Sequence, residues 1–357
     1  MKPFLVPFTI LAIACGCNQT FPQGTPPPPT VAAPAPAVTP VAADAGAKKI
    51  VEVTPVSWVG CEVTKRAFMD ELVKAYEAQT GIKVVLSGGG ATRGIRDVAS
   101  QSADLGGTCR NPLEVDSERD AVLLPIAWDA LVIVVHKDNP LNGITREQVA
   151  EVFTRKLTRW SQLDPAAADA EIKLHVREGK ISGVGYMERL LLLHDLDLDY
   201  GTHCSSHKST EPLEAALEND PHGIAISGIS SAARQPGLKM LTLDGVRPSA
   251  ASLISGKYEL IRPLYLTIHK DRTESGPAAD FVKFALSAKG QQVIAATGTV
   301  PMAKIGDELF DQFYAKVEKA QLRIAQLQAG REVMNSLVEL SLEELGSINV
   351  VEIQPGK

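Results

Sequence analysis

A strand pattern that runs straight into three consecutive glycines, and then into a helix, constrains this chain more than any other stretch. Ile82 to Leu86 reads as a strand, Gly88-Gly89-Gly90 follows Ser87, and from about Thr92 the apolar positions Ile95, Val98 and Ala99 recur at helical spacing. Glycines let the backbone take positive φ and bring N–H groups close to a ligand, while the first turn of a helix adds unpaired donors and the positive end of a dipole. Such a turn suits an anion. Ala103-Asp104-Leu105-Gly106 follows shortly, a second short strand ending in a carboxylate and small residues.

The ends of the chain read differently. Lys2 precedes an apolar run, Phe4 to Ala14, too short to span a bilayer and fitting a signal-peptide core. Ala14-Cys15-Gly16-Cys17 then looks like a bacterial lipoprotein cleavage box, so residues 1–17 are expected to be a signal with Cys17, or Cys15, as the lipidated residue. Residues 18–49 are rich in Pro, Ala, Thr and Val and are expected to be an extended tether that holds the body off a membrane. A net charge of −6 argues against a nucleic-acid partner and offers no broad field for anions, so any anion affinity must be local.

About 300 residues remain, more than one hydrophobic core usually serves, which implies two lobes. Strand and helix patterns alternate: Ile50 to Val59, Lys65 to Gln79, Leu123 to Ala127, Ala130 to Val135, Ile172 to Val176, a helix from Ser182, Gly223 to Ser227, Tyr258 to Ile268 and Ala278 to Ala288. Alternating βα elements predict mostly parallel sheets flanked by helices. Lobe one is expected over 50–136 and 259–305, lobe two over 137–258, with any ligand in the cleft between them.

The order of segments resembles the substrate-binding proteins of phosphate ABC importers, the phosphate branch of the periplasmic type II binding proteins. Ala75-Tyr76-Glu77-Ala78-Gln79-Thr80-Gly81, Asn139-Pro140-Leu141, Leu243-Asp244-Gly245-Val246-Arg247-Pro248, Ser255-Gly256-Lys257-Tyr258-Glu259-Leu260 and Phe281-Val282-Lys283-Phe284-Ala285-Leu286-Ser287 carry it. The resemblance implies an α/β two-lobe type II fold that closes on phosphate or a similar oxyanion and delivers it to an ABC permease.

By resemblance, the anion is held by helix N-termini, hydroxyls, an Arg and an Asp that accepts the proton of hydrogen phosphate and so rejects sulfate. Asp104 and Arg177 take the last two roles, and Ser182-Gly183 begins the second-lobe helix. Several hydroxyls of the family are replaced here: Cys61-Glu62 stands in the first turn, Ala91 in the glycine turn and Val184 after Gly183. Gly90, Thr92 and Arg93 complete the expected site, with Thr92 and Arg93 substituting for the hydroxyl lost at Ala91. Glu62 either belongs to the ligand shell, where a carboxylate opposes an anion, or caps the helix that begins near Lys65.

Cys61 and Cys109 replace serines at what the resemblance makes the ends of neighbouring strands, where a disulfide would fit. Cys204, between His203 and His207, leaves open another reading on the same fold: a metal- or haem-responsive protein using a transition metal or haem, with the two histidines one turn apart if that stretch is helical. Otherwise no cofactor is expected. Residues 306–357 exceed the family pattern. Phe310, Phe313, Val317, Ala320, Ile324 and Leu327 form a helical stripe, either packed on lobe one or docking a partner, and the docking version leaves an interaction protein with a degenerate cleft as a further alternative. No zinc-protease, P-loop or nucleophile-elbow motif is present, and no catalysis is expected.

Overall fold

The computed structural model describes residues 54–346, with side chains through 334. Cys15, Cys17, the tether 18–49 and the final residues 347–357 lie outside the described residues.

Strands β1 (Val56–Gly60), β2 (Val84–Gly88) and β3 (Leu105–Thr108) pair in parallel in the order β2-β1-β3. β4 (Ala121–His136) is 16 residues long. The short β5 (Gly143–Ile144) precedes β6 (Lys173–Arg177), β7 (Cys204–His207) and β8 (Gly223–Gly228), which form a second parallel set, β8-β6-β7. β9 (Leu238–Met240) adds to β4, and β10 (Thr242–Leu243) pairs with β5. β11 (Ile261–His269) lies antiparallel between β3 and β4, and β12 (Val300–Pro301) also pairs with β4. The parallel pairings thus lie on either side of an antiparallel centre.

β4 joins the two halves. Leu123 to Ala127 and Ala130 to Val135, read from sequence as separate strands, are one strand here. Ala121 to Ala130 pair with β11, and Leu131 to Val135 pair with β8, so the strand changes partner between Ala130 and Leu131. Pro125 offers no N–H, and the register shifts at Leu264/Tyr265 opposite it, which lets the ladder continue past the proline. Every residue from Ile126 to Val135 is buried, as expected for a strand covered on both faces.

Glycines set how closely the first anion-suited helix approaches the sheet. A Cβ on Gly106 would fall 1.8 Å from the Gly94 carbonyl oxygen, and one on Gly94 would fall 2.4 Å from that of Gly107. The helix Gly90–Ala99 therefore lies directly on β3, its N-terminus beside the end of the strand.

The C-terminal helix Asp307–Gly346 packs on the body through Phe313, Val317, Ala320 and Ile324, and Phe310 and Phe313 meet Trp128 edge to face. Leu327, expected in that stripe, is exposed.

Where β4 changes partner, Arg262 of β11 and Asp129 of β4 form a fully buried ion pair, Nη2 to Oδ2 2.8 Å. Ser230, just after β8, donates its N–H and hydroxyl to Asp129 Oδ1, and Arg262 Nη1 donates to the Cys109 carbonyl. Removing one partner strands a buried charge. Asp129→Ala is expected to lower stability by about 3–5 kcal/mol, read from urea unfolding; a loss within about 1 kcal/mol would show the pair to be incidental.

Candidate functional site

A cavity of about 170 Å³ lies at the carboxyl ends of β1, β3 and β6, lined by Cys61, Glu62, Gly88 to Ala91, Cys109, Arg177, Gly183, Val184, Ser209 and Thr210 among others. Larger cavities exist elsewhere on the surface, one of about 270 Å³ beside the C-terminal helix. The smaller one is where the strands end and the helices begin, the position at which α/β sheets place ligands.

Four helices start at this cavity. Glu62–Thr64, continued by a π-helical turn Lys65–Met69 and by Asp70–Thr80, follows Cys61; Gly90–Ala99 follows Gly89; Gly183–Glu188 follows Ser182; Thr210–Leu217 follows Ser209. At none of the four does the residue before the helix accept a hydrogen bond through its side chain, so first-turn N–H groups are left for a ligand. Their dipoles converge with the same sign. Such an arrangement attracts an anion without any broad positive surface.

Arg177 ends β6 and is 8 % exposed. Its Nη2 donates to the Lys208 carbonyl at 2.7 Å and Nη1 to Thr210 Oγ1 at 3.3 Å, while Nε has no partner among the described residues. Burial pulls its pKa below the ordinary value, and the buried thiols beside it act in the opposite direction. Ser182 Oγ is also buried and without a partner among the described residues, lying near Gly185 and Arg177. Unpaired buried donors are costly. Ser182 itself does not line the cavity, whereas Arg177 does, and a buried guanidinium beside four open helix N-termini describes a site for an oxygen-rich anion.

Glu62 lines the cavity, and its Oε1 accepts from Arg66 Nε at 2.8 Å one turn along the helix. The Arg66 guanidinium also reaches Glu214 and Glu211, on the other half of the sheet. Further contacts cross between the halves: Thr92 Oγ1 and Arg110 Nε each donate to the Ile181 carbonyl at 3.0 Å. Thr92 therefore closes the rim and does not line the cavity. Arg93, paired with Asp97 on its own helix, does not line it either.

Cys61 and Cys109 both line the floor as buried free thiols, Cys61 Sγ lying 3.3 Å from Thr64 Oγ1, so the expected bridge is not formed in this structure. Burial pushes Cys61 up, but hydrogen bonds from Cys109 and Thr64 and the charge of Arg262 outweigh it and bring the thiol down to about 7. Cys109 is the opposite case. It gives its hydrogen bond to Cys61 and is buried, so it stays well above the ordinary thiol value.

Asp104 lies elsewhere. It precedes β3, whereas the cavity lies beyond the other end of that strand. One carboxylate oxygen accepts from the Ser57 N–H and hydroxyl at 2.9 and 2.7 Å, and the other from Arg272 at 2.8 Å. The acceptor role expected for Asp104 is corrected by this placement, and the side chain at the cavity end of β3 is Cys109. His203 and His207 are likewise not one turn apart on a helix. Cys204–His207 is β7, and His207 stacks on His175, which in turn meets Asp220 at 3.1 Å. Among the described residues no group of three or more His, Cys, Asp or Glu is placed to hold a metal ion.

Ser209 and Thr210 were missed from sequence, although Ser209-Thr210-Glu211-Pro212 before an apolar run is a helix-start signature.

The family model described as "PBP superfamily domain" matches residues 58–289. The phosphate-binding protein PstS of Pseudomonas aeruginosa is 27% identical over 202 residues, 52% of this chain and 62% of that protein, so the chain spans less than two thirds of that relative's length. PstS of Borreliella burgdorferi is 22% identical over 251 residues, 67% of this chain and 88% of that protein. Among solved structures, a phosphate ABC transporter substrate-binding protein with bound phosphate from Clostridium perfringens gives a TM-score of 0.62 at 18% identity, covering 70% of this chain and 99% of that one. An ABC-type phosphate transport receptor from Vibrio cholerae gives 0.55 at 23% identity, covering 69% and 99%. These two structures establish the fold.

The placement of Asp104 has a direct test. Its carboxyl is held below the usual 3.8: burial opposes this, but the Ser57 bonds and Arg272 prevail. Its contribution to stability is therefore full above about pH 4 and lost as pH falls through the depressed folded value. Asp104→Asn is expected to unfold more easily than the parent at pH 7, with the difference closing in strong acid, and to leave anion affinity within about twofold. Loss of anion binding in calorimetry would put Asp104 back in the site.

Proposed function

The chain belongs to the PBP superfamily, and from that premise we propose that it is an extracytoplasmic substrate-binding protein that captures a small oxyanion, phosphate foremost, and presents it to an ABC importer. The convergence of four uncapped helix N-termini on a cavity lined by the buried Arg177 carries this reading. Relatives named as phosphate-binding proteins support it.

In this reading the two halves of the sheet, joined through β4 and β11, act as two lobes that close on the anion. Contacts from both lobes reach it: the first turns after Cys61 and Gly89 from one side, and Arg177 with the first turns after Ser182 and Ser209 from the other. A ligand that bonds to both lobes favours the closed state by the difference in its affinity for the two states. The rim contacts of Thr92 and Arg110 to Ile181 and of Arg66 to Glu214 then hold the closed form. The lipid anchor at Cys17, or Cys15, and the tether would keep the body near its permease.

With Asp104 outside the cavity, discrimination between phosphate and sulfate falls to Glu62. Its carboxylate is neutralised in part by Arg66, and its position at the rim lets it accept the proton that hydrogen phosphate carries and sulfate lacks. Binding of this kind requires no catalysis.

Calorimetric titration of the protein with phosphate and with sulfate tests the reading. Saturable 1:1 heat with phosphate and weaker heat with sulfate are expected, and Arg177→Met is expected to weaken phosphate by about 10–100-fold through loss of a charge-assisted bond. Glu62→Gln is expected to narrow the gap between the two anions. Unchanged phosphate affinity in Arg177→Met would contradict the site.

A further inference from the structure

We propose that Cys61 and Cys109 are a reversible dithiol–disulfide pair built into the floor of the anion cavity, and that its oxidation state sets how tightly the cavity holds an oxyanion. The coupling to anion affinity rests on the anion-binding reading above; the bond between the two sulfurs does not.

The backbone places the pair correctly. Cys61 follows β1 and Cys109 follows β3, which are neighbours in parallel register, Gly60 opposite Gly107. Cys109 thus stands one position beyond the register partner of Cys61. Strand spacing of about 4.8 Å and one residue's rise of about 3.3 Å give a Cα separation of about 6 Å, inside the range of about 4.4–6.8 Å that a disulfide spans. The ladder continues past β1, with the Cys61 N–H donating to the Gly107 carbonyl at 3.1 Å. Both side chains are buried, at 6 % and 1 % exposure, and both line the cavity, so a reagent reaches them through the space the anion would fill.

The two thiols are unequal in the way exchange requires. Cys61 carries the thiolate and Cys109 keeps its proton. The Cys61 thiolate attacks one sulfur of a low-molecular-weight disulfide, releasing one thiolate of the oxidant and leaving a mixed disulfide. Cys109 then loses its proton, and its sulfur attacks Cys61 Sγ, displacing the second thiolate. Two electrons pass to the oxidant, which leaves as two thiolates, and the one proton held by Cys109 is released. The oxidising extracytoplasmic compartment of the reading above supplies such oxidants.

Oxidation changes the charge of the site. Reduced, the floor gains a negative charge as Cys61 ionises, directly against a bound anion. The groups facing it are Arg262 with its partner Asp129 beneath, Arg177 from β6, and the Glu62–Arg66 pair on its own helix. None of these removes the thiolate. A disulfide does, because neither sulfur then carries a proton or a charge. The oxidised cavity therefore keeps its affinity where the reduced one loses it.

The test uses the full chain, reduced with dithiothreitol or oxidised with glutathione disulfide, titrated with inorganic phosphate at pH 6 and pH 8.5. Comparing oxidised with reduced protein at each pH cancels the titration of phosphate itself. Affinities near equal at pH 6, and tighter binding by the oxidised form of about tenfold or more at pH 8.5, are expected. Non-reducing peptide mapping should show Cys61 linked to Cys109 after oxidation, and Cys61→Ser should bind phosphate equally with and without oxidant. Equal affinities of the two forms at pH 8.5 would overturn the coupling. A lasting glutathione adduct on Cys61, or no linked peptide, would overturn the pair. If neither form binds phosphate, the anion-binding reading fails and the coupling with it, while the mapping still decides whether the bond forms.

Discussion

The buried pair of Arg262 and Asp129 is the constraint on which the arrangement of this protein depends. It sits at the point where β4 exchanges β11 for β8, and it ties together the strands that carry the chain from one half of the sheet to the other. Gly228 at the end of β8 is packed so closely that a Cβ there would lie 2.5 Å from Asp129 Oδ2. A charge pair without water is only tolerable with full hydrogen bonding, and Ser230 and the Cys109 carbonyl complete it. The same guanidinium lies under the cavity and helps to lower Cys61, so the junction and the floor of the site share one charged group.

From that junction the cavity follows. Parallel strands on both sides of the antiparallel centre end at the same level, and the helices after them begin there, which turns their first N–H groups toward one small space. The chain carries a net charge of −6, so affinity for an anion has to be built from such local donors and from Arg177. Cysteines in place of hydroxyls alter that floor. A hydroxyl donates to an anion over the whole working range of pH, whereas Cys61 titrates near neutrality and turns from weak donor to repelling charge.

Much of this was legible in the amino-acid sequence because it rests on local rules. The glycine turn, the helix after it and the start of the helix at Ser182 came from spacing and turn chemistry, and the resemblance singled out the arginine that ends β6 and supplied their common purpose. What was not legible required knowing which end of a strand faces the cavity. Asp104 and Cys109 flank the same four-residue strand, and only the three-dimensional direction of β3 shows that the carboxylate is at the far end and the thiol at the site. His203 and His207 failed for a related reason: pairing with β6 makes the segment a strand, and the partner of His207 is His175, distant in sequence. The merging of two apolar runs into β4 depends on long-range partners on either side, which periodicity alone does not contain.

The measurement that bears most directly on the account is the backbone amide spectrum of isotopically labelled protein during titration with inorganic phosphate. The amides of Glu62, Ala91, Gly183 and Thr210, one from the first turn of each helix, are expected to shift together along a single saturation curve. Shifts confined to the basic groove beside the C-terminal helix, around Lys319 and Arg323, with those four amides unmoved, would contradict it.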